Sequence, residues 1–286
     1  MEADMELSGK TFLVTGANAG IGKATVEALV DRGAERVVVA SRSRDKTQPV
    51  LDALTARARG TDIHFVAIDL GDLASVRRAA DEILAKDWTL DAVIANAGIA
   101  GVRGQTKDGF ELAFGTNHLG HFLLVESILP LVRRAPQGRL VFVSSRAHYN
   151  AERIDWEALR RPTATTTAMR EYAVSKLCNV LYAKELARRL ADTKVTTYAL
   201  HPGVVASDIW RRRLGVFAKL ITWWMITNER GARTQLRCAT DPTLARESGL
   251  FYDEEKPKEP NPIVHDVAIQ DELRGRSEAW VQAFRV

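Results

Sequence analysis

Three features of the sequence predict an α/β fold, a Rossmann-type doubly wound parallel sheet in a single domain with helices on both faces. Short apolar, β-branched runs alternate with segments of helical periodicity. The runs are continuously apolar, as strands covered on both faces require, and a glycine-rich turn joins the first run to the first helix. Lys10 to Thr15 is the first strand, and Ile21 to Val30 then carries apolar residues at helical spacing. Gly33 ends this helix and Arg36 to Ala40 forms a second strand. Further strands are predicted at Ile63 to Ile68, Leu90 to Ala95, Arg139 to Val143, Val195 to Leu200 and Leu250 to Tyr252, giving about seven in all. Lys256 to Pro262, rich in proline and glutamate, is predicted as an exposed loop. No linker, fixed-period repeat or low-complexity block interrupts the pattern, so residues 1–286 are read as one domain with a C-terminal extension at 253–286.

Composition narrows the function classes. The 286 residues, 46% hydrophobic and 27% charged, can bury a full core without a metal or disulfide staple. A net charge of +4 is too small an excess to imply nucleic-acid binding. Cys178 and Cys238 are too few for a disulfide framework or a zinc thiolate cluster, and a reducing cytoplasm is the expected compartment. Met1 to Lys10 is acidic and lacks an apolar run, so no signal peptide or amino-terminal anchor is expected there. Trp210 to Ile226 is the most membrane-like stretch, but Arg211, Arg212, Arg213 and Lys219 interrupt it, and no transmembrane segment is expected.

In such sheets ligands bind beyond the carboxyl ends of the strands, so the residues that follow each strand carry the functional reading. After the first strand, Thr15-Gly16-Ala17-Asn18-Ala19-Gly20-Ile21-Gly22 spaces glycines as G-x-x-x-G-x-G. Gly16 permits a tight turn, Gly20 lets backbone approach a pyrophosphate, and Gly22 allows close helix packing while the helix N-terminus faces the anion. A plain glycine turn is the alternative. The residue ending the second strand meets the adenosine ribose, where a carboxylate favours a free 2′-hydroxyl and an arginine favours a 2′-phosphate. Here Ala40-Ser41-Arg42-Ser43-Arg44 offers no acid, so Arg42, with Ser41 as a further donor, points to NADP(H). A solvated basic loop is the competing reading. Asp69 follows the third strand, and Asn96-Ala97-Gly98 the fourth, where adenine and ribose contacts are expected; helix capping explains Asp69 or Asp72 equally well.

Past the fifth strand stand Ser144 and Ser145, and a later helical segment places Tyr172 and Lys176 four residues apart on one face. A nearby ammonium and an oxidised nicotinamide both favour a phenolate, which would make Tyr172 a proton carrier near neutrality. An exposed tyrosine beside a solvated lysine is the bland alternative.

Taken in order, these motifs resemble the short-chain dehydrogenase/reductase family from Lys10 to about Leu250: T-G-x-x-x-G-I-G at Thr15 to Gly22, Asp69-Leu70, Asn96-Ala97-Gly98, Asn117, Ser145, Tyr172 with Lys176, and Pro202-Gly203. The wording T-G-A-N-A-G-I-G-K, N-H-L-G-H-F and H-P-G-V-V is most similar to the retinol dehydrogenase branch. The resemblance implies that Tyr172 exchanges a proton with the substrate oxygen and that Lys176 binds the nicotinamide ribose and lowers the phenol's pKa. It further implies that Ser145 hydrogen-bonds the substrate oxygen and that Asn117, in the helix after the fourth strand, holds a water linking Lys176 to solvent. Pro202, Gly203, Val205 and Ser207 would line the nicotinamide. Adjacent strand residues face opposite ways, so one of Ser144 and Ser145 enters the site, and family register favours Ser145.

The reaction so implied interconverts a carbonyl and an alcohol on an apolar or aromatic small molecule. A catalytically silent NADP(H)-binding scaffold and a reductase of a ring double bond are the alternatives. Membrane retinol dehydrogenases commonly begin with a hydrophobic anchor that is not read here, so a retinoid substrate is not carried over. Within 208–228, the variable cover of the substrate in similar proteins, the aromatic and basic stretch 210–226 is read as a lid or as a peripheral membrane contact. Helices after the fourth and fifth strands often pair between subunits in similar proteins, which implies a homodimer or homotetramer. His118 and His121 have no evident third ligand, so no metal is expected and packing or surface roles are assigned.

Overall fold

The computed structural model describes residues 6–203 and 227–285. Its strands are β1 (Thr11–Thr15), β2 (Arg36–Ser41), β3 (Asp62–Ala67), β4 (Ala92–Ala95), β5 (Gly138–Val143), β6 (Val195–His201), β7 (Leu250–Asp253) and β8 (Lys256–Pro257). They form one sheet in the order β3-β2-β1-β4-β5-β6-β7-β8. Every pairing is parallel except β7 with β8. The predicted fold is therefore present, with one strand more than expected. Part of the Lys256 to Pro262 loop is β8, joined to β7 by Glu254 and Glu255, whose φ angles of 48° and 71° form a tight reversal without glycine.

Every residue of β1, β5 and β6 is buried, which explains why apolar residues dominate them. One face of the sheet is covered by α1 (Gly20–Asp31), α2 (Arg44–Arg57) and α7 (Asn228–Thr240). The other carries α3 (Leu73–Ala85), the short α4 (Leu112–Phe114), α5 (Gly120–Arg133), α6 (Met169–Arg189) and α8 (Val267–Val281). Chain order reverses between β1 and β4, and this switch point opens the ligand crevice at the strands' carboxyl ends. Gly33, at φ 74°, closes α1 through its N–H on Val30 O, 3.0 Å away.

The C-terminal extension forms α8, which lies on α6. Trp280 packs 5.5 and 5.7 Å from the Phe110 and Phe114 rings. Arg274 reaches the buried Glu185 at 3.3 Å, Arg285 reaches the buried Glu126 at 3.7 Å, and Arg189 pairs with both carboxylates. α8 thus covers part of α6, one of the two helices expected to pair between subunits. Residues 208–226 of the expected lid, with the whole 210–226 stretch, lie outside the described residues, whereas Thr227 and Asn228 begin α7.

Candidate active site

The crevice is built first by what the glycine turn forbids. Gly16 has φ 67°, and a Cβ there would lie 2.9 Å from Ala97 Cα. A Cβ on Gly22 would meet the Gly16 carbonyl oxygen at 2.4 Å and Asn96 Nδ2 at 2.5 Å, so the first turn of α1 can close onto β1 and β4 with glycine alone. Ala19 is the N-cap of α1 and supplies no side-chain hydrogen bond, and no acidic residue stands in the first turn. The leading N–H groups of α1 are thus left for an anion. Asn18 and Ile21 flank this opening, Ile21 within the first turn of α1 and Asn18 just before it.

Arg42 is exposed at the end of β2 and makes no ion pair among the described residues. Ser41 corrects the expectation of a second donor. It is buried, and its hydroxyl lies 2.6 Å from Thr47 Oγ1, which gives its own proton to Ser43 O at 2.7 Å. Ser41 must therefore donate to Thr47, and its proton is spent. Arg44 stands over the Phe65 ring at 5.4 Å.

The two aspartates after β3 separate cleanly. Asp72 caps α3 by accepting from Ser75 N at 3.2 Å and pairs with Lys107 at 2.8 Å, a hydrogen bond that holds its carboxyl below the usual range. Asp69 instead accepts from Gly71 N at 2.9 Å in the loop that includes the buried Leu70. After β4, Asn96 Nδ2 donates to Thr15 O at 2.8 Å, while Asn96 N and Ala97 N both donate to Thr15 Oγ1 at 3.0 Å. Gly98 faces the catalytic half: a Cβ there would lie 3.2 Å from Asn117 Oδ1 and 3.3 Å from Lys176 Nζ.

At the end of β5, Ser144 donates to the Lys176 carbonyl at 2.7 Å, and Lys176 Nζ donates to the Val143 carbonyl at 2.7 Å. This reciprocal pair ties α6 to the strand and turns Ser144 away from the crevice. Ser145 accepts from Ala147 N at 3.2 Å, and its side chain stands beside the Tyr172 phenol. Lys176 Nζ stands 5.7 Å from the centre of the Tyr172 ring. Burial pushes the phenol up, with the Ser145 hydrogen bond acting weakly the other way, and pushes the Lys176 ammonium down to about 8. The expected lowering of Tyr172 by Lys176 is absent here, because desolvation outweighs the other influences on the phenol.

Asn117 has its side chain committed within the protein. It lies in a π segment, Gly115–Leu119, between α4 and α5, and its side chain accepts from Ile99 N at 2.8 Å and donates to Ile99 O and to Ser175 Oγ, each at 2.9 Å. The amide's two protons are committed, so a water on this residue would be held at the main-chain carbonyl rather than by the amide N–H groups. His118 and His121, assigned to packing, are both buried and hydrogen-bonded. Among the described residues no cluster of three metal-ligating side chains forms. Pro202 and Gly203 follow β6 at the sheet's carboxyl end, whereas Val205 and Ser207 lie outside the described residues.

The family model for short chain dehydrogenase matches residues 10–157. The chain belongs to the short-chain dehydrogenase/reductase family. As a short-chain dehydrogenase it is 36% identical to mouse retinol dehydrogenase 14 over 292 residues, covering 96% of this chain and 86% of that one. It is 40% identical to human dehydrogenase/reductase SDR family member 13 over 252 residues, covering 86% of this chain but only 66% of that protein's length. These relatives place it in the retinol dehydrogenase-like branch. A crystal structure of an uncharacterized protein from Mycobacterium paratuberculosis superposes with a TM-score of 0.78 at 31% identity, over 96% of this chain and 94% of that one.

The short-chain dehydrogenase site fits a nicotinamide dinucleotide on its own chemistry. The uncapped start of α1 would hold the pyrophosphate, and Asp69 with the Asn96–Gly98 turn would flank adenine and ribose. Lys176 has spent one of three N–H groups on Val143 and keeps donors for ribose hydroxyls.

Proposed function

We propose that this oxidoreductase interconverts a carbonyl and an alcohol on an apolar or aromatic small molecule, with NADP(H) as its preferred cofactor. The observation that carries the reading is the convergence of Ser145, Tyr172 and Lys176 at one end of β5 and α6, beside a glycine turn whose helix lacks its own cap. The bound nicotinamide supplies or accepts a hydride. Tyr172 gives its proton to the substrate oxygen as that oxygen gains charge, and Ser145 donates a hydrogen bond to the same oxygen. A phenol held up by burial is suited to the donating direction. Asn117, through its carbonyl, and Lys176 return a proton from solvent.

Arg42, exposed at the ribose end with no acid beside it on β2, supports the choice of NADP(H) over NAD(H). Gly16, Gly20 and Gly22 with Leu70, Pro202, Gly203, Val205 and Ser207 complete the proposed cofactor contacts. Two free buried thiols suit a reducing cytoplasm, and no described helix is long and apolar enough to cross a membrane. The active form is a homodimer or homotetramer, paired through the helices after the fourth and fifth strands where α8 leaves them free. The test is oxidation of NADPH and of NADH against a panel of aldehydes, ketones and quinones that includes retinal and steroids. Turnover of apolar carbonyls with NADPH favoured supports the reading; cofactor binding without turnover of any member points to a silent binding protein.

A further inference from the structure

Two parts of the site that lie far apart in sequence meet at one side chain. His121, in the first turn of α5, is buried, with Nδ1 2.9 Å from the Asn117 carbonyl oxygen and Nε2 2.8 Å from Thr15 Oγ1. A carbonyl oxygen accepts only, so Nδ1 carries the proton, and a neutral imidazole then offers Nε2 as an acceptor. Thr15 gives its hydroxyl proton to that nitrogen at 2.8 Å, well inside the 3.5 Å to its other acceptor, Ile94 O. The same hydroxyl oxygen accepts from Asn96 N and Ala97 N at 3.0 Å each. Every proton in the chain is thereby assigned: from the Asn96-Ala97 backbone to Thr15, from Thr15 to His121, and from His121 to Asn117.

The turn after β4 and the π segment also meet beside the ammonium: a Cβ on Gly98 would lie 3.2 Å from Asn117 Oδ1 and 3.3 Å from Lys176 Nζ. The middle spans the switch point of the sheet, joining β1, the turn after β4 and the π segment. At the end of that segment Gly120 N reaches back five residues to Gly115 O, and the His121 ring gives the Asn117 carbonyl a side-chain partner.

We propose that His121 is a positioning residue that holds the Asn117 carbonyl in place and, through Thr15, locks that carbonyl to the dinucleotide-binding turn Asn96–Gly98. It touches neither substrate nor cofactor; it acts through Asn117. The proposal rests on the reading of Tyr172 and Lys176 as the proton-transfer pair. It also requires that His121 stay neutral, since an imidazolium would turn Nε2 into a donor facing Thr15 and place a second cation near Lys176. The charged and titratable groups acting on it are Lys176 and His118. Burial first, with Lys176 opposing its charge, puts its pKa at about 4.

The first test needs no substrate. In protein labelled with nitrogen-15 at histidine, His121 should show the Nδ1–H tautomer at neutral pH and stay neutral to about pH 5. An Nε2–H tautomer, or an imidazolium at that pH, overturns the proposal. The second test compares His121→Asn, whose amide N–H can replace Nδ1–H, with His121→Leu. Leucine should lower kcat by about tenfold or more and displace the pH profile of kcat, while NADPH affinity measured by fluorescence titration changes less than threefold. Asparagine should recover most of kcat and the original profile. Equal kcat and equal profiles for the two variants overturn the proposal. If the leucine protein fails to fold, Thr15→Val against Thr15→Ser reads the same chain: a profile displaced by valine and not by serine supports it, and identical profiles reject it. A wild-type protein with the expected tautomer but no nicotinamide binding would instead defeat the functional reading while leaving the geometry standing.

Discussion

The β1–α1 and β3–α3 junctions are built alike and finished differently. Both run from a parallel strand at the carboxyl edge of the sheet into a long helix. At α3 the chain supplies its own anion: Asp72 accepts from Ser75 N and is held in turn by Lys107. At α1 the capping position is Ala19, with no side-chain acceptor and no acid in the first turn. A helix N-terminus left without a cap is normally a loss of about 1 kcal/mol. Here that loss coincides with glycines that bring the helix against Asn96 and the Gly16 carbonyl. The difference teaches that a missing cap, set beside a capped neighbour, marks where a ligand is meant to complete the fold.

Ala19→Asp should break the comparison most severely, by giving α1 what α3 has. Two unit charges about 4 Å apart near a protein surface repel by roughly 4 kcal/mol before salt screening, so NADPH affinity should fall by about 100-fold. The same change should raise the unfolding temperature of the cofactor-free protein, since an aspartate N-cap stabilises by about 1 kcal/mol. Fluorescence titration and thermal melts check the two opposite signs. Arg42→Ala should act at the far end of the same cofactor, weakening NADPH by about tenfold while NADH changes little. Equal losses for both cofactors would remove Arg42 from a 2′-phosphate site. Asp72→Ala gives the smallest effect, a loss of about 1 kcal/mol of stability with NADPH affinity unchanged, because it removes a cap that no ligand shares.

The central strands were legible because they are buried on both faces and therefore rich in apolar residues, and the glycine turn because Gly16 and Gly22 leave no room for a Cβ. Tyr172 and Lys176 were legible as a helical pair. Less visible were features set by contacts distant in sequence. Nothing in Ser41 announces that Thr47 takes its proton, and Thr15 finds His121 across 106 positions. The π segment leaves a faint trace in Gly115 and Gly120, where a Cβ would strike Thr106 and the Leu70 carbonyl, each closer than 2.5 Å. β8 escaped because Glu254 and Glu255 adopt positive φ, a conformation that the sequence would sooner assign to glycine or asparagine. The docking of α8 on α6 depends on Trp280 and on arginines reaching two buried glutamates, and no local pattern records that pairing.

The claim that Tyr172 hands over the proton is met most directly by Tyr172→Phe, assayed for NADPH binding and for carbonyl reduction on the best substrate of the panel. Removing one hydroxyl should leave NADPH affinity within about threefold and cut turnover by roughly 1,000-fold or more, since both the proton and the hydrogen bond to the reacting oxygen go with it. Turnover within about tenfold of the wild type, at equal cofactor occupancy, would contradict the account.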